Sequence, residues 1–162
     1  MDKIQIGQQA PDFTLRDQNN NQVSLHQYKG SWILLYFYPK DNTPNCTQQA
    51  CKLRDIFEEY QKEGITIIGV STDSIESHKK FATKHNLPFT LLADTQAEVA
   101  KKYNIWKPKK LFGREFLGTR RSSFLVDPQL KIQKIYEKVN VNTHADIILA
   151  DKKELQDHAK TQ

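Results

Sequence analysis

The sequence predicts an α/β sandwich: a central mixed β-sheet flanked by helices, with a β-hairpin extension at the N-terminal end. Three observations carry this reading. Ser31 to Tyr38 (SWILLYFY) is apolar on both faces, the pattern of a strand in the middle of a covered sheet. Strand and helix patterns then alternate over residues 31–103. A further strand pair, broken by Asp127-Pro128, follows and completes the sheet.

Taken in order, Phe13-Thr14-Leu15 and Val23-Ser24-Leu25 alternate about the polar turn Asn19-Asn20-Asn21, which predicts a hairpin within residues 12–25. After the strong strand, Thr43 to Glu63 reads as one helix. Its apolar residues Ala50, Leu53, Phe57 and Tyr60 are three or four apart, and Gly64 ends it. Ile65 to Val70 is the next buried strand, and Ser71-Thr72-Asp73-Ser74 supplies capping residues for a helix over 75–86. Phe89 to Leu92 forms a short strand and Thr95 to Tyr103 a helix. Residues 105–120 read as irregular and basic. Ser122 to Val126 and Ile132 to Val139 form the closing strand pair. Asn142 or Thr143 caps a last helix running toward His158, with Ile147, Ile148 and Leu149 turned inward.

With 162 residues and no linker, repeat or low-complexity stretch, one domain over residues 1–162 is expected. Charged residues at 27% and hydrophobic residues at 38% fit a soluble globular chain. The longest apolar run, Trp32 to Tyr38, is too short to cross a bilayer. Met1 to Gly7 lack the charged-then-apolar pattern of an export signal, and two cysteines make a poor disulfide scaffold. Thiol chemistry in the cytoplasm is therefore expected. The net charge of +5 is spread along the chain and tolerates anionic partners without requiring them. His26, His78, His85, His144 and His158 show no metal-ligand spacing with each other or with the cysteines, so exposed or capping positions are expected for them. Phosphate-binding glycine motifs are absent.

The chemistry concentrates at Cys46 and Cys51. Thr43 is placed as the N-cap of its helix, Pro44 at the first helical position and Cys46 in the first turn. There the unpaired backbone N–H groups and the positive end of the helix favour a thiolate, the reactive form of the side chain. The helix start also lies at the carboxyl end of a central strand, where open α/β sheets place their sites. An isolated cysteine is more often an inert core residue, but the strand, the Thr-Pro cap and the second cysteine together favour a reactive one. In an intact helix Cys51 is rotated about 140° from Cys46 and raised about 7.5 Å. That leaves the Cα atoms roughly 8–9 Å apart, beyond the ~7 Å reach of a disulfide.

Pro39-x-x-x-Thr43-x-x-Cys46 matches the active-site pattern of the peroxiredoxins. The run YFYPKDNTPNCTQQAC closely resembles the subgroup called bacterioferritin comigratory protein or peroxiredoxin Q. Ala10-Pro11-Asp12-Phe13, Gly69-Val70-Ser71-Thr72-Asp73 and Arg121-Ser122-Ser123-Phe124-Leu125-Val126-Asp127 extend the resemblance over nearly the whole chain. It implies a thioredoxin-like sandwich and a thiol peroxidase that uses no metal, flavin or haem. Cys46 would be the peroxidatic cysteine and Cys51 the resolving one, condensing to an intramolecular disulfide once the first helical turns unwind. Thioredoxin or a similar dithiol would reduce that disulfide. Arg121 would stabilise the thiolate and the transition state, Thr43 and the Cys46 N–H would bind the peroxide, and Pro39 would shield the thiolate from water. Arg120 would point away, because alternation along an extended segment separates the two arginines. The resemblance also implies a monomer. Neither a nucleic-acid nor a membrane partner is expected, since a solvated loop accounts for the basic stretch and the last helix reads as docking on the sheet. Two departures stand out: Asn45 occupies a position usually held by Gly, and the turn at Asp127-Pro128-Gln129-Leu130 lacks its usual glycine.

Two other classes of protein share part of this pattern. A thioredoxin-like disulfide oxidoreductase would need a C-x-x-C motif, which is missing here, and a proline where Arg121 stands. A nucleic-acid-binding protein could use the basic, aromatic stretch from Trp106 to Arg121, although a solvated loop explains that stretch as well.

Overall fold

The computed structural model describes residues 3–160. Its strands are β1 (Thr14–Asp17), β2 (Gln22–Ser24), β3 (Trp32–Phe37), β4 (Ile65–Ser71), β5 (Thr90–Ala93), β6 (Trp106–Leu111), β7 (Arg114–Thr119), β8 (Ser122–Val126) and β9 (Ile132–Tyr136). The helices are α1 (Pro44–Asp55), α2 (Phe57–Lys62), α3 (Ile75–His85), α4 (Glu98–Lys102) and α5 (His144–Lys160). A seven-stranded sheet runs in the order β2-β1-β5-β4-β3-β8-β9. Strand β3 pairs parallel with β4 and antiparallel with β8, so the sheet is mixed as expected. The N-terminal hairpin joins its edge through β1 and β5.

Alternation along the central strands divides the interior into two cores. Ile33, Leu35 and Phe37 of β3 meet Ile68, Val70, Phe124, Val126, Tyr103 and the N-terminal segment on one face. Leu34, Tyr36 and Tyr38 face the other way, onto Cys46, Ala50, Leu53, Tyr60, Phe81 and Ile148 of the helices. Every β3 residue from Ile33 to Phe37 is buried, which is why the strand reads as a continuous apolar run.

Several expectations need correction. The long helix divides at Ile56, whose backbone (φ −106°, ψ 9°) leaves the helical region between α1 and α2. Residues 105–120 are not irregular: β6 and β7 form a regular antiparallel hairpin from Trp106↔Thr119 to Leu111↔Arg114. Most of its residues are exposed, so it lacks the one-sided apolar alternation that announces a strand. Its turn, Phe112-Gly113, has positive φ at both residues (53° and 76°), the backbone of a two-residue hairpin loop. On α5, Ile148 is fully buried but Ile147 is 47% exposed, because three consecutive helical residues cannot share one face. The turn without its glycine is built with Leu130 at φ 64°, a left-handed conformation that costs a branched side chain on the order of 1 kcal/mol. Asp127 offsets this by accepting hydrogen bonds from the N–H groups of Gln129 (2.9 Å) and Lys131 (3.0 Å).

One close approach constrains the centre of the sheet. Tyr36 and Gly69 are register partners on β3 and β4, and the phenol ring lies over the glycine. A Cβ at residue 69 would sit 2.9 Å from Tyr36 Cε1, Cζ and the hydroxyl. The ring cannot yield, because it stacks on Tyr38 at 5.5 Å and meets Phe89 edge-on at 6.2 Å. Gly69→Ala is therefore expected to destabilise the protein by about 1–3 kcal/mol, the usual range for overpacking. Chemical denaturation should show the lower midpoint, and an unchanged midpoint would contradict this packing.

Candidate active site

Strand β3 delivers the chain to a loop over residues 38–43, after which α1 begins. Thr43 is the N-cap by backbone (φ −83°, ψ 152°) and Pro44 is the first helical residue. The cap is not made by the side chain, contrary to the simplest expectation for Thr. The Thr43 hydroxyl instead donates to the Lys40 carbonyl at 2.8 Å. Its lone pairs remain available as acceptors. The first helical bond runs from the Thr47 N–H to the Thr43 carbonyl at 2.9 Å. The Cys46 N–H therefore precedes the hydrogen-bond ladder, at the positive end of the helix. Cys46 itself is 2% exposed, while Asn45 beside it faces solvent. Pro39 is half-buried in the loop that precedes this helix start.

Arg121 approaches from β8, the antiparallel neighbour of β3. Its Nη2 donates to Cys46 Sγ at 3.2 Å and its Nη1 to Gln49 Oε1 at 2.6 Å. The guanidinium thus spans one turn of α1 with a donor on each residue, a geometry an ammonium cannot reproduce. Arg120 is exposed and lines a cleft of about 230 Å³ with Tyr103, Ser122 and Phe124, on the other face of the sheet. The two arginines diverge as alternation requires.

Behind Gln49 the contacts continue inward. With Oε1 accepting from Arg121, the Gln49 amide nitrogen faces His144 Nδ1 at 3.5 Å, and His144 Nε2 meets Ser123 Oγ at 2.7 Å. A neutral imidazole suits both contacts. Burial, and then the positive charge of Arg121, pull the His144 pKa down to about 4. Tyr36 lies beneath Cys46 in the same core, and its hydroxyl is the buried side-chain atom without a hydrogen-bond partner among the described residues. Burial, then the charge of a Cys46 thiolate, hold this phenol well above its usual range. From β6, Lys109 reaches the same surroundings. Burial and then the Arg121 charge lower its pKa, so the basic hairpin borders the site.

A second buried cluster holds the loop itself. Asp41, 4% exposed, accepts from the Tyr38 hydroxyl at 2.6 Å and from the Ser77 hydroxyl at 2.8 Å. It also pairs with His78 Nδ1 at 2.8 Å. His78 is fully buried, and its Nε2 faces the Leu92 carbonyl at 2.9 Å. Burial raises the Asp41 pKa, but the His78 contact and the hydroxyls outweigh it and leave the carboxyl below its usual value. Asp73 completes the cluster, accepting from the Asp41 N–H at 2.8 Å and the Ser71 hydroxyl at 2.6 Å. Asp41, Asp73 and His78 bring their polar atoms within 4.8 Å of one another, a grouping that ligand spacing in the sequence did not reveal.

The expectation of exposed or capping histidines is thus wrong for His78 and His144, which are both buried. A signal existed for His78. It lies three and four residues before Phe81 and Ala82, on the apolar face of α3. Gln49, which the sequence does not single out as a site residue, proves to be a direct partner of Arg121. Cys51 is half-buried on the continuous α1, and both thiols are free. The structure therefore brings Thr43, Cys46 and Arg121 together and keeps Cys51 apart from them, one and a half turns further along the helix.

The His144 shift sets a pH dependence of stability. Its folded pKa is depressed from about 6.5 to about 4. The associated stability is complete above the unfolded value and is lost as pH falls from about 6.5 to about 4. At 1.36 kcal/mol per unit the loss is about 3 kcal/mol. Unfolding free energies of wild type and His144→Asn, measured from pH 7 to pH 4, should converge by roughly this amount. Parallel curves would contradict the assignment.

The sequence pattern of the AhpC/TSA family matches residues 6–135. Peroxiredoxin Bcp of Bacillus subtilis is 46% identical over 154 residues, covering 95% of this chain and 98% of that protein. Peroxiredoxin Bcp of Escherichia coli K12 is 40% identical over 149 residues, covering 92% and 96%. Among solved structures, a Xanthomonas campestris bacterioferritin comigratory protein studied for alkyl peroxide reduction superposes with a TM-score of 0.84 at 34% identity, covering 88% of this chain and 90% of that one. A Cys-to-Ser variant of Xylella fastidiosa PrxQ gives a TM-score of 0.88 at 29% identity, covering 98% and 99%. With a buried first-turn cysteine held by an arginine, and relatives of this kind along its length, the chain belongs to the AhpC/TSA family and is a peroxiredoxin of the Bcp and PrxQ kind.

Proposed function

We propose that this peroxiredoxin reduces hydrogen peroxide and organic hydroperoxides through a Cys46 sulfenic acid that Cys51 resolves as an intramolecular disulfide. The observation that carries the reading is the Arg121 guanidinium, 3.2 Å from Cys46 Sγ at the start of a helix. The Cys46 thiolate attacks the terminal peroxide oxygen. The O–O bond breaks, the second oxygen leaves as hydroxide or alkoxide and takes up a proton, and Cys46 becomes a sulfenic acid. Arg121 and the Cys46 N–H lie where negative charge spreads over sulfur and oxygens in that transition state. Thr43, with its proton committed to the Lys40 carbonyl, accepts a hydrogen bond from the peroxide O–H. Pro39 keeps water from the sulfur. The alkyl peroxide reduction named for the Xanthomonas relative supports including organic substrates.

Cys51 then attacks the sulfenic sulfur and water leaves. A dithiol such as thioredoxin returns the disulfide to two thiols. We place this cycle in a monomeric, single-domain protein of the cytoplasm, without nucleic-acid or membrane partners. Among the described residues, no helix is long and apolar enough to cross a membrane.

Peroxide consumption with a thioredoxin system tests the assignments. Cys46→Ser is expected to abolish turnover. Arg121→Gln should slow the peroxide step about 100-fold or more, by analogy with losing one transition-state donor. Cys51→Ser should oxidise once and stall unless an external thiol resolves it. Full activity of Cys46→Ser would overturn the reading.

Helix α1 is intact over both cysteines, too long a span for the disulfide. Oxidation should therefore unwind its first turns. Amide exchange over residues 44–55 is expected to accelerate in the oxidised protein. Unchanged protection in a protein carrying the 46–51 bond would refute the unwinding.

A further inference from the structure

The proposed cycle gives Cys51 a task, yet nothing so far explains how its thiol loses a proton. The site described above is built around Cys46, on the opposite side of α1. A free thiol is only about 3% ionised at pH 7, so an unassisted resolving cysteine is mostly unreactive. A nearby base removes that limit.

The structure supplies such a group. Cys51 Sγ lies 3.8 Å from His85 Nδ1, within sulfur hydrogen-bonding distance. His85 is the last residue of α3, and this end of α3 meets α1 through Cys51 and Arg54. Its position is fixed twice over. Arg54, three residues after Cys51 on α1, donates through Nη1 to the His85 carbonyl at 2.9 Å. The imidazole also meets the Phe81 ring edge-on, with centroids 5.2 Å apart. Both Cys51 and His85 are half-buried, so solvent can receive a proton from the ring.

We propose that His85 is the general base for the resolving thiol, a further catalytic residue of the reaction. This rests on the reading of Cys51 as the resolving cysteine. Once the first turns unwind and bring Cys46 within reach, Cys51 sulfur attacks Cys46 sulfur while His85 Nδ1 takes the S–H proton, so the S–S bond forms without a free thiolate having to accumulate. The S–O bond of the sulfenic acid breaks, and its hydroxide takes a proton to leave as water. The imidazolium returns its own proton to solvent. No outside oxidant or reductant is needed, because the peroxide has already oxidised Cys46.

The surroundings keep His85 in the form a base requires. Desolvation, then the charges of Lys84 on its own helix and Arg54 on α1, lower its pKa, so the ring is neutral at pH 7. Among the described residues, Lys84 from α3 and Arg54 from α1 are the charges that act on it, and Cys51 is the thiol it meets. With Nδ1 accepting from sulfur, Nε2 carries the remaining proton.

The test separates the two steps in one trace. Stopped-flow fluorescence after mixing with hydrogen peroxide follows sulfenic-acid formation and then disulfide formation, with mass spectrometry identifying the 46–51 bond. His85→Asn keeps a hydrogen-bond acceptor near the Nδ1 position without its basicity. At pH 7 it is expected to slow disulfide formation about tenfold relative to the peroxide step, within the ~30-fold ceiling set by thiol ionisation. The deficit should close at pH 9.5, where thiols ionise unaided. His85→Ala should show the same deficit and recover with added imidazole. A longer-lived sulfenic acid should also raise the yield of Cys46 sulfinic acid under excess peroxide. A resolution rate equal to wild type at pH 7, or a deficit equally large at both pH values, would overturn the role of His85 alone. A wild-type protein that forms no 46–51 bond would overturn the resolving assignment and this inference together.

Discussion

The two-pronged grip of Arg121 on α1 is the contact on which the site depends. One guanidinium meets Cys46 Sγ and Gln49 Oε1, residues one turn apart on a helix, from a strand far away in sequence. That grip needs β8 hydrogen-bonded against β3, so that a residue just before Ser122 stands beside the end of β3. It needs α1 to leave β3 at that same end. It also needs Gln49 to present oxygen and not nitrogen, which the contacts to His144 and Ser123 secure. The mixed sheet is thus more than a scaffold. Its one antiparallel junction at β3 brings the cation to the sulfur.

The loop between β3 and α1 raises the opposite problem, because loops are mobile by default. Here it is tied down by buried charge. Asp41 and His78 carry no exposed surface to speak of, yet each is surrounded by partners: Tyr38, Ser77, the Leu92 carbonyl and, through the Asp41 N–H, Asp73. A buried carboxylate is weak evidence for stability, since desolvation offsets much of what its partners contribute. Its value lies in directionality. The bonds fix the backbone at residue 41, two residues before Thr43, and therefore fix where α1 begins.

What the sequence revealed and what it concealed divide by range. The start of α1 was legible because capping is local: Thr43, Pro44 and Cys46 lie within four residues. Arg121 was legible through a family resemblance and the alternation that turns Arg120 away. The central strands announced themselves by burial on both faces. The partnership of Gln49 with His144 was not legible, since 95 residues separate them and neither carries a local signal. The β6–β7 hairpin escaped because it is exposed on most of its surface, so no apolar face marks its period. The break at Ile56 escaped because apolar spacing runs through it unchanged, from Leu53 to Phe57 and Tyr60.

A rigid site can belong to a helix that opens in the proposed cycle, because α1 is anchored unevenly along its length. The buried residues in the first two turns of α1 are Cys46, Gln49 and Ala50; the first large apolar anchor is Leu53. Small side chains hold little apolar area, at about 25 cal/mol per Å². The N-terminal turns are therefore held largely by polar contacts, those of Arg121 to Cys46 and Gln49, of Gln48 to Asn142 and of Gln49 to His144, and the Thr43 hydroxyl adds no cap. In the proposed cycle the thiolate becomes a neutral sulfenic acid, and the charge that Arg121 gripped is gone. The contact that activates Cys46 weakens once Cys46 has reacted. Unwinding then proceeds from the end with the least apolar burial, while Leu53 and the Arg54 contact to His85 keep the second half of the helix in place.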